Sequence, residues 1–201
     1  MTDIFHWFMG IGFGPRLCFL AVFFMLMASY DLWRKRTEAT RWREYSFAIL
    51  CGLLGILYGL LNDQITGRIS ADYFLYGKGI EPWDGNGGFW YKVNILATQA
   101  GFVAGLVGGC LLLLVKGENS FRSLAGFLRY PFLGALLGSL LVAALLTWFA
   151  PMRLLGGFSE IIDPPNQAGF LSVMGWHYGL YAGFAIGMGV AMFKLRRQVG
   201  T

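Results

Sequence analysis

The residues able to do chemistry gather at two places in the chain. Asn62, Asp63, Gln64 and Thr66 follow one another closely, with Arg68 just beyond and Asp72 and Tyr73 a few positions on; His177 stands far away, inside a long apolar run. Asn62 and Thr66 fall at i and i+4 if the segment stays helical, so they share a face, and Asp63 sits at the same end. Gln99 occupies a matching depth in another apolar run. An ionisable group in apolar surroundings is costly to leave unpaired, so Asp63 and His177 suit proton exchange or the binding of a small polar solute. The candidate polar pocket is Asn62, Asp63, Gln64, Thr66, Asp72, Tyr73, Gln99 and His177. The plainer alternative is an Asp63–Arg68 ion pair at the surface, worth little, with His177 as a hydrogen-bonded bundle residue.

Other chemistries lack their signatures. A metal needs about three suitable ligands, and no metal-spacing motif joins His177, Asp63 and Asp72. A bis-histidine haem pair would need a second histidine within the bundle, and the only other one, His6, lies in the N-terminal tail. There is no G-x-S-x-G elbow, phosphate loop or HExxH. Cys18, Cys51 and Cys110 share no short motif and read as small polarizable core residues. No catalytic set, cofactor or metal is expected.

The elements that must position these groups follow from composition. Of 201 residues 56% are hydrophobic and only 13% charged, against about 25% charged in soluble domains; mean hydropathy is +0.56. Apolar runs fall at about 17–33, 46–61, 93–115, 131–150 and 170–193, each near the roughly 20 residues that a bilayer-crossing helix needs. The expected fold is all-α: a polytopic bundle of five transmembrane helices forming one membrane domain, 1–201, with outer loops at about 62–92 and 151–168. Arg16 before the first run and Ala28 and Ser29 after it also fit a signal peptide. Cleavage there would export Arg34, Lys35, Arg36, Arg41 and Arg43, so the run is read as a retained helix.

The net charge of +5 does not point to nucleic acid, because the cations lie in short blocks between apolar runs. Those five, with Lys116, Arg122 and Arg129 and with Lys194, Arg196 and Arg197, place eleven of the sixteen Lys and Arg on one side. That side is read as cytoplasmic, which puts the N-terminus out and the C-terminus in. In the first outer loop, Ser70 with Asp72 in the first turn predicts a short capped helix ended by Gly77. Gly85, Asn86, Gly87 and Gly88 form a turn cluster before an aromatic belt of Phe89, Trp90 and Tyr91.

Glycines recur at every fourth position in four of the runs, among them Gly55 and Gly59, Gly101, Gly105 and Gly109, Gly134 and Gly138, and Gly179, Gly183 and Gly187. Such faces let neighbouring helices approach closely. Gly101, Gly105 and Gly109 align with Gly179, Gly183 and Gly187 at an offset of 78, and Gly55 and Gly59 with Gly134 and Gly138 at 79. The pattern predicts two similar helical hairpins following one extra helix, a parallel repeat of the kind seen in some transporters.

The stretch Tyr58-Gly59-Leu60-Leu61-Asn62-Asp63-Gln64-Ile65-Thr66, then Ile69-Ser70-Ala71-Asp72-Tyr73-Phe74, resembles a group of uncharacterised bacterial integral membrane proteins. Their pattern is YG, a short apolar gap, HDQ(I/V)T and then ISPEYF. The last run is also similar, through Met174, His177, Tyr181, Gly183 and Gly187. Asn62 departs from their His, Ala71 from Pro and Asp72 from Glu; the first of these removes a titratable group. The resemblance implies a multi-pass protein of the bacterial inner membrane with a site at these two segments, and implies no activity.

Three functions compete. One is a subunit or assembly partner of a larger membrane complex, docking through its glycine faces and aromatic loop. Another is a small-solute or proton transporter. The third is a membrane enzyme on a lipid or exported substrate, with Asp63 or Asp72 and His177 as acid and base. The expected partners are the lipid bilayer and a membrane protein or a second copy, not nucleic acid. A reporter active only in the cytoplasm, inserted between Arg36 and Arg41, is expected to be active; activity there of a reporter that works only after export would overturn the orientation.

Overall fold

The polar residues that follow the second apolar run do not stop its helix. In the computed structural model, which describes residues 13–80, 88–117, 119–149 and 152–199, the helices are α1 (Phe13–Lys35), α2 (Arg41–Ile69), α3 (Gly88–Leu114), α4 (Phe121–Phe127), α5 (Arg129–Phe149) and α6 (Pro164–Val199). No strand occurs among the described residues. Four segments, Arg41–Ile69, Gly88–Leu114, Phe121–Phe149 and Pro164–Gln198, are long and apolar enough to cross a membrane.

The connections expected at about 62–92 and 151–168 are both shorter in the structure. Residues 62–69, assigned to a loop, are the last two turns of α2, where Thr66 Oγ1 donates back to the Asn62 carbonyl at 3.0 Å. Polar side chains satisfied inside the bundle need not break a helix, so hydropathy alone ended this element too early. The second loop stops at Asp163, because Pro164 and Pro165 open α6, where a missing N–H costs nothing. Gln167 Nε2 donates to the carbonyls of Ser159 and Ile162, tying the 3₁₀ stretch Met152–Glu160 to α6. That stretch bends at Gly156, whose φ of 52° suits glycine.

The short helix after Ser70 is present. Ser70 is extended and its Oγ accepts the Tyr73 N–H at 3.4 Å, and the turn closes as a π-helix over Tyr73–Gly77. Gly88 opens α3, with Phe89, Trp90 and Tyr91 in its first turn. His6 and the Gly85–Gly87 part of the turn cluster lie outside the described residues.

Two hairpins, α2 with α3 and α5 with α6, hold the tightest packing. In the first, position 51 faces 105, 55 faces 101 and 59 faces 97; in the second, 130 faces 187, 134 faces 183, 138 faces 179 and 142 faces 175. At each crossing a glycine Cα lies against a backbone carbonyl, so a Cβ on Gly55 would land on the carbonyl of Gly101, and one on Gly134 on that of Gly183. The two hairpins thus repeat one antiparallel register, as the glycine pattern predicts. The offsets need correcting: this register allows 79 with 82, or 83 with 78, but not 79 with 78. A helical stripe with a four-residue period aligns equally well one turn away, which is why sequence alone misplaced it.

The hairpins meet at their two ends. At the basic end Phe47, Leu112, Leu124, Phe127, Met188 and Leu195 form a buried cluster, bordered by Lys116–Glu44 at 3.6 Å and Lys194 Nζ donating to the Tyr130 hydroxyl at 3.1 Å. At the opposite end Tyr73, Phe74, Val93, Leu155, Phe170 and Val173 form another. α1 leans on α2 through the stacked rings of Phe24 and Tyr45, 5.0 Å apart. The buried Asp31 carboxylate of α1 accepts the N–H groups of Thr40 and Arg41, capping α2 from a neighbouring helix.

Large apolar side chains point outward: Leu50, Leu53, Leu57, Leu61 and Ile65 make one exposed stripe on α2, and Leu133, Leu137, Leu141 and Leu145 another on α5. Along the hairpin seams small residues are inside and large ones outside, the reverse of a water-soluble core. Gly101→Ala and Gly134→Ala are each expected to lower stability by about 1–3 kcal/mol through overpacking. Gly189→Ala, where a Cβ meets nothing within 4 Å, should be neutral or slightly stabilising. Unfolding midpoints in detergent check this, and equal effects at all three positions would reject the packing account.

Candidate functional site

Between the two end clusters the hairpins touch through the rings of Tyr58 and Phe132, 5.7 Å apart, and otherwise leave a cleft of about 330 Å³. Gly55, Tyr58 and Gly59 of α2, Ala97, Ala100, Gly101, Ala104 and Gly105 of α3, and Phe132, Ala135, Leu180 and Phe184 of the second hairpin give it an apolar wall. Asn62, Asp63, His177 and Lys78 close its one polar end.

Asp63 and His177 meet there. His177 Nε2 lies 3.2 Å from Asp63 Oδ1 and Nδ1 lies 3.0 Å from the Val173 carbonyl, with both residues buried. A carbonyl only accepts, so Nδ1 carries a hydrogen, and the contact between Nε2 and Oδ1 then needs one further proton shared between them. Trp176 Nε1, which can only donate, lies 2.7 Å from Asn62 Oδ1. That fixes the Asn62 amide so that Nδ2 donates to Asp63 Oδ1 at 2.9 Å. The Asp63 carboxylate is therefore held from both sides, by a donor on its own helix and by one on α6.

Aromatic rings close the far side of the imidazole. Tyr73 stacks on His177 at 4.8 Å and Phe74 meets it edge-on at 5.8 Å. The capped turn after Ser70 sets these rings, since its π-helical residues carry both. Lys78, just past that turn, reaches the cleft mouth with its ammonium 5.6 Å from the Tyr73 ring centre and 5.8 Å from that of Tyr181. Desolvation pulls the Lys78 ammonium below its ordinary range, and the Asp63 carboxylate partly offsets this. Loss of its aqueous surroundings pushes the Tyr73 hydroxyl well above its ordinary range.

The eight sequence candidates divide. Asn62, Asp63 and His177 line the cleft, while Tyr73 and Thr66 are buried behind it. Gln64 donates to Asn94 Oδ1 at 2.9 Å, in a separate latch between α2 and α3. Asp72 and Gln99 are half-buried and lie outside the cleft lining. Arg68 donates to the Gln64 carbonyl and covers the Trp90 ring at 5.2 Å, so Asp63 takes His177 and not Arg68 as its partner. Lys78, Trp176 and Asn94 were not singled out. Trp176 could have been found as a lone donor adjoining an intramembrane histidine, whereas Lys78 looked like one more loop cation.

Fold and site together define an all-helical chain with four helices long and apolar enough to cross a membrane and an ionisable pair between two glycine-packed hairpins. No protein family, curated protein or solved structure matches the chain.

The pair holds the hairpins together only while both partners are present. Asp63→Ala leaves the His177 ring buried without its carboxylate and is expected to cost about 3 kcal/mol or more. Asp63→Ala combined with His177→Phe should cost less than the sum of the single changes. Additive losses in unfolding measurements would mean that the two side chains are not coupled.

Proposed function

We propose that this chain is a multi-pass membrane protein that binds a small molecule in the cleft between its two hairpins, with the molecule's polar end at Asp63, His177 and Lys78. The carrying observation is that two ionisable groups from different hairpins share one cleft whose remaining wall is apolar. Ligand sites have this make-up, an apolar enclosure with a few converging polar groups, and about 300 Å³ is within their usual range.

In this reading α1 is the fifth span. Its exposed Phe19, Phe23, Met25 and Leu26 suit contact with lipid. The basic end faces the cytoplasm of a bacterium, the N-terminus lies outside, and the polar end of the cleft sits near the outer surface of the inner membrane. The glycine faces are occupied within the hairpins. A partner subunit would therefore dock on the leucine stripes of α2 and α5.

Ala104 lines the cleft and is exposed, so a larger side chain there can fill the space without entering a glycine crossing. Native mass spectrometry of protein taken from its own membranes is expected to show a small molecule carried by the wild type. Ala104→Phe should lose it while its unfolding midpoint stays unchanged. A wild type that carries nothing, or an adduct that persists in Ala104→Phe, would overturn the reading.

A further inference from the structure

We infer that the occupant is a single-chain amphiphile with an anionic head, admitted from the lipid side; this rests on the ligand-binding reading above. Along α2 the cleft runs from Asp63 to Gly55, about 12 Å at about 1.5 Å per residue. That is most of one leaflet of a hydrocarbon core about 30 Å thick. Over this length Leu96, Ala97, Ala100, Gly101, Ala104 and Gly105 line α3's side of the wall, which offers a tail apolar contact and no side-chain hydrogen-bonding partner.

The flank of the slot is open. Ala100 and Ala104 of α3 line it and are exposed, and Tyr181 across from them on α6 is 48% exposed. These residues sit on helices whose outward faces are apolar, so a tail can enter sideways from lipid without first crossing water.

Charge selects the head. The Asp63 carboxylate already accepts from Asn62 and pairs with His177, which holds the shared proton. Lys78 meets two tyrosine rings and, among the described residues, no carboxylate within ion-pair distance. With the proton shared between Asp63 and His177, those two groups are neutral together, and among the described residues Lys78 then leaves the polar end with one positive charge in excess. A phosphate or carboxylate head complements it, and a cationic head would meet repulsion.

The probe is dodecyl phosphate, offered to the full chain in nanodiscs of zwitterionic lipid. Dodecanol and dodecyltrimethylammonium serve as controls with the same tail, and inorganic phosphate as the head alone. Dodecyl phosphate is expected to bind once per chain and to be lost in Ala104→Phe. Lys78→Gln should weaken it about fivefold, the weight of one partly exposed charge contact. If dodecanol or dodecyltrimethylammonium binds as well, or if Lys78→Gln changes nothing, the anionic head is rejected while binding in the cleft stands. If inorganic phosphate binds as tightly, the tail is rejected. If no probe binds although the wild type carries its native adduct, the amphiphile class is overturned and the cleft reading survives.

Discussion

Helices surrounded by hydrocarbon gain little from hiding leucine from lipid, since a lipid tail is as apolar as the partner helix. What favours one helix pair over another is how closely the backbones approach. Here that approach is set by glycine against carbonyl at successive crossings, 51 to 59 on α2 against 97 to 105 on α3 and 130 to 142 on α5 against 175 to 187 on α6. The repeated crossings lock the register, because a slide of one residue would drive a larger side chain into a carbonyl. Each hairpin then behaves as a unit whose inner seam contains almost no side-chain volume.

The same economy of volume produces the cleft. Between the hairpins contact is concentrated in the two end clusters. Midway, Gly55, Gly59, Ala97, Gly101 and Ala135 are too small to close the gap, which the Tyr58–Phe132 ring contact spans only in part. Asp63 and His177 sit where that gap meets the aromatic cluster, so the pair is shielded from lipid by Tyr73 and Phe74 yet borders the cleft. A carboxylate in such surroundings needs donors fixed in advance, and Asn62 and His177 supply them. Trp176 extends the arrangement by setting the Asn62 amide from the adjoining turn of α6.

Much of this could be read from residue types. The all-helical make-up and the order of the four long apolar helices follow from apolar runs, the basic end from blocks of Lys and Arg, and the hairpin seams from the four-residue glycine period. Asp63 with His177 was legible because an ionisable group in an apolar run requires a partner. Helix ends were less so: Asn62, Asp63, Gln64 and Thr66 look like a loop to any hydropathy window, yet each is satisfied within or between helices. Lys78 escaped notice because a loop lysine is ordinary, and only the fold of the Ser70–Gly77 turn carries it back over the cleft. Gln99 illustrates the opposite error. Its depth was matched to that of His177 by position within the apolar runs, and in the structure it lies outside the cleft lining.

The ambiguity of the glycine alignment leaves one conclusion untouched. Whether α2 maps onto α5 at 79 or at 83, the counterpart of Asp63 is apolar, Val142 in the first case and Leu146 in the second. His177 correspondingly maps to Ile95 or Gln99, neither of which is titratable. The two hairpins share their packing and not their chemistry, and the ionisable pair is assembled from one residue of each. A site built across a repeat in this way depends on both units being present in one chain and in one relative orientation. The Asp63–His177 contact therefore spans the two hairpins, and a change in their angle that separates α2 from α6 at this end lengthens it.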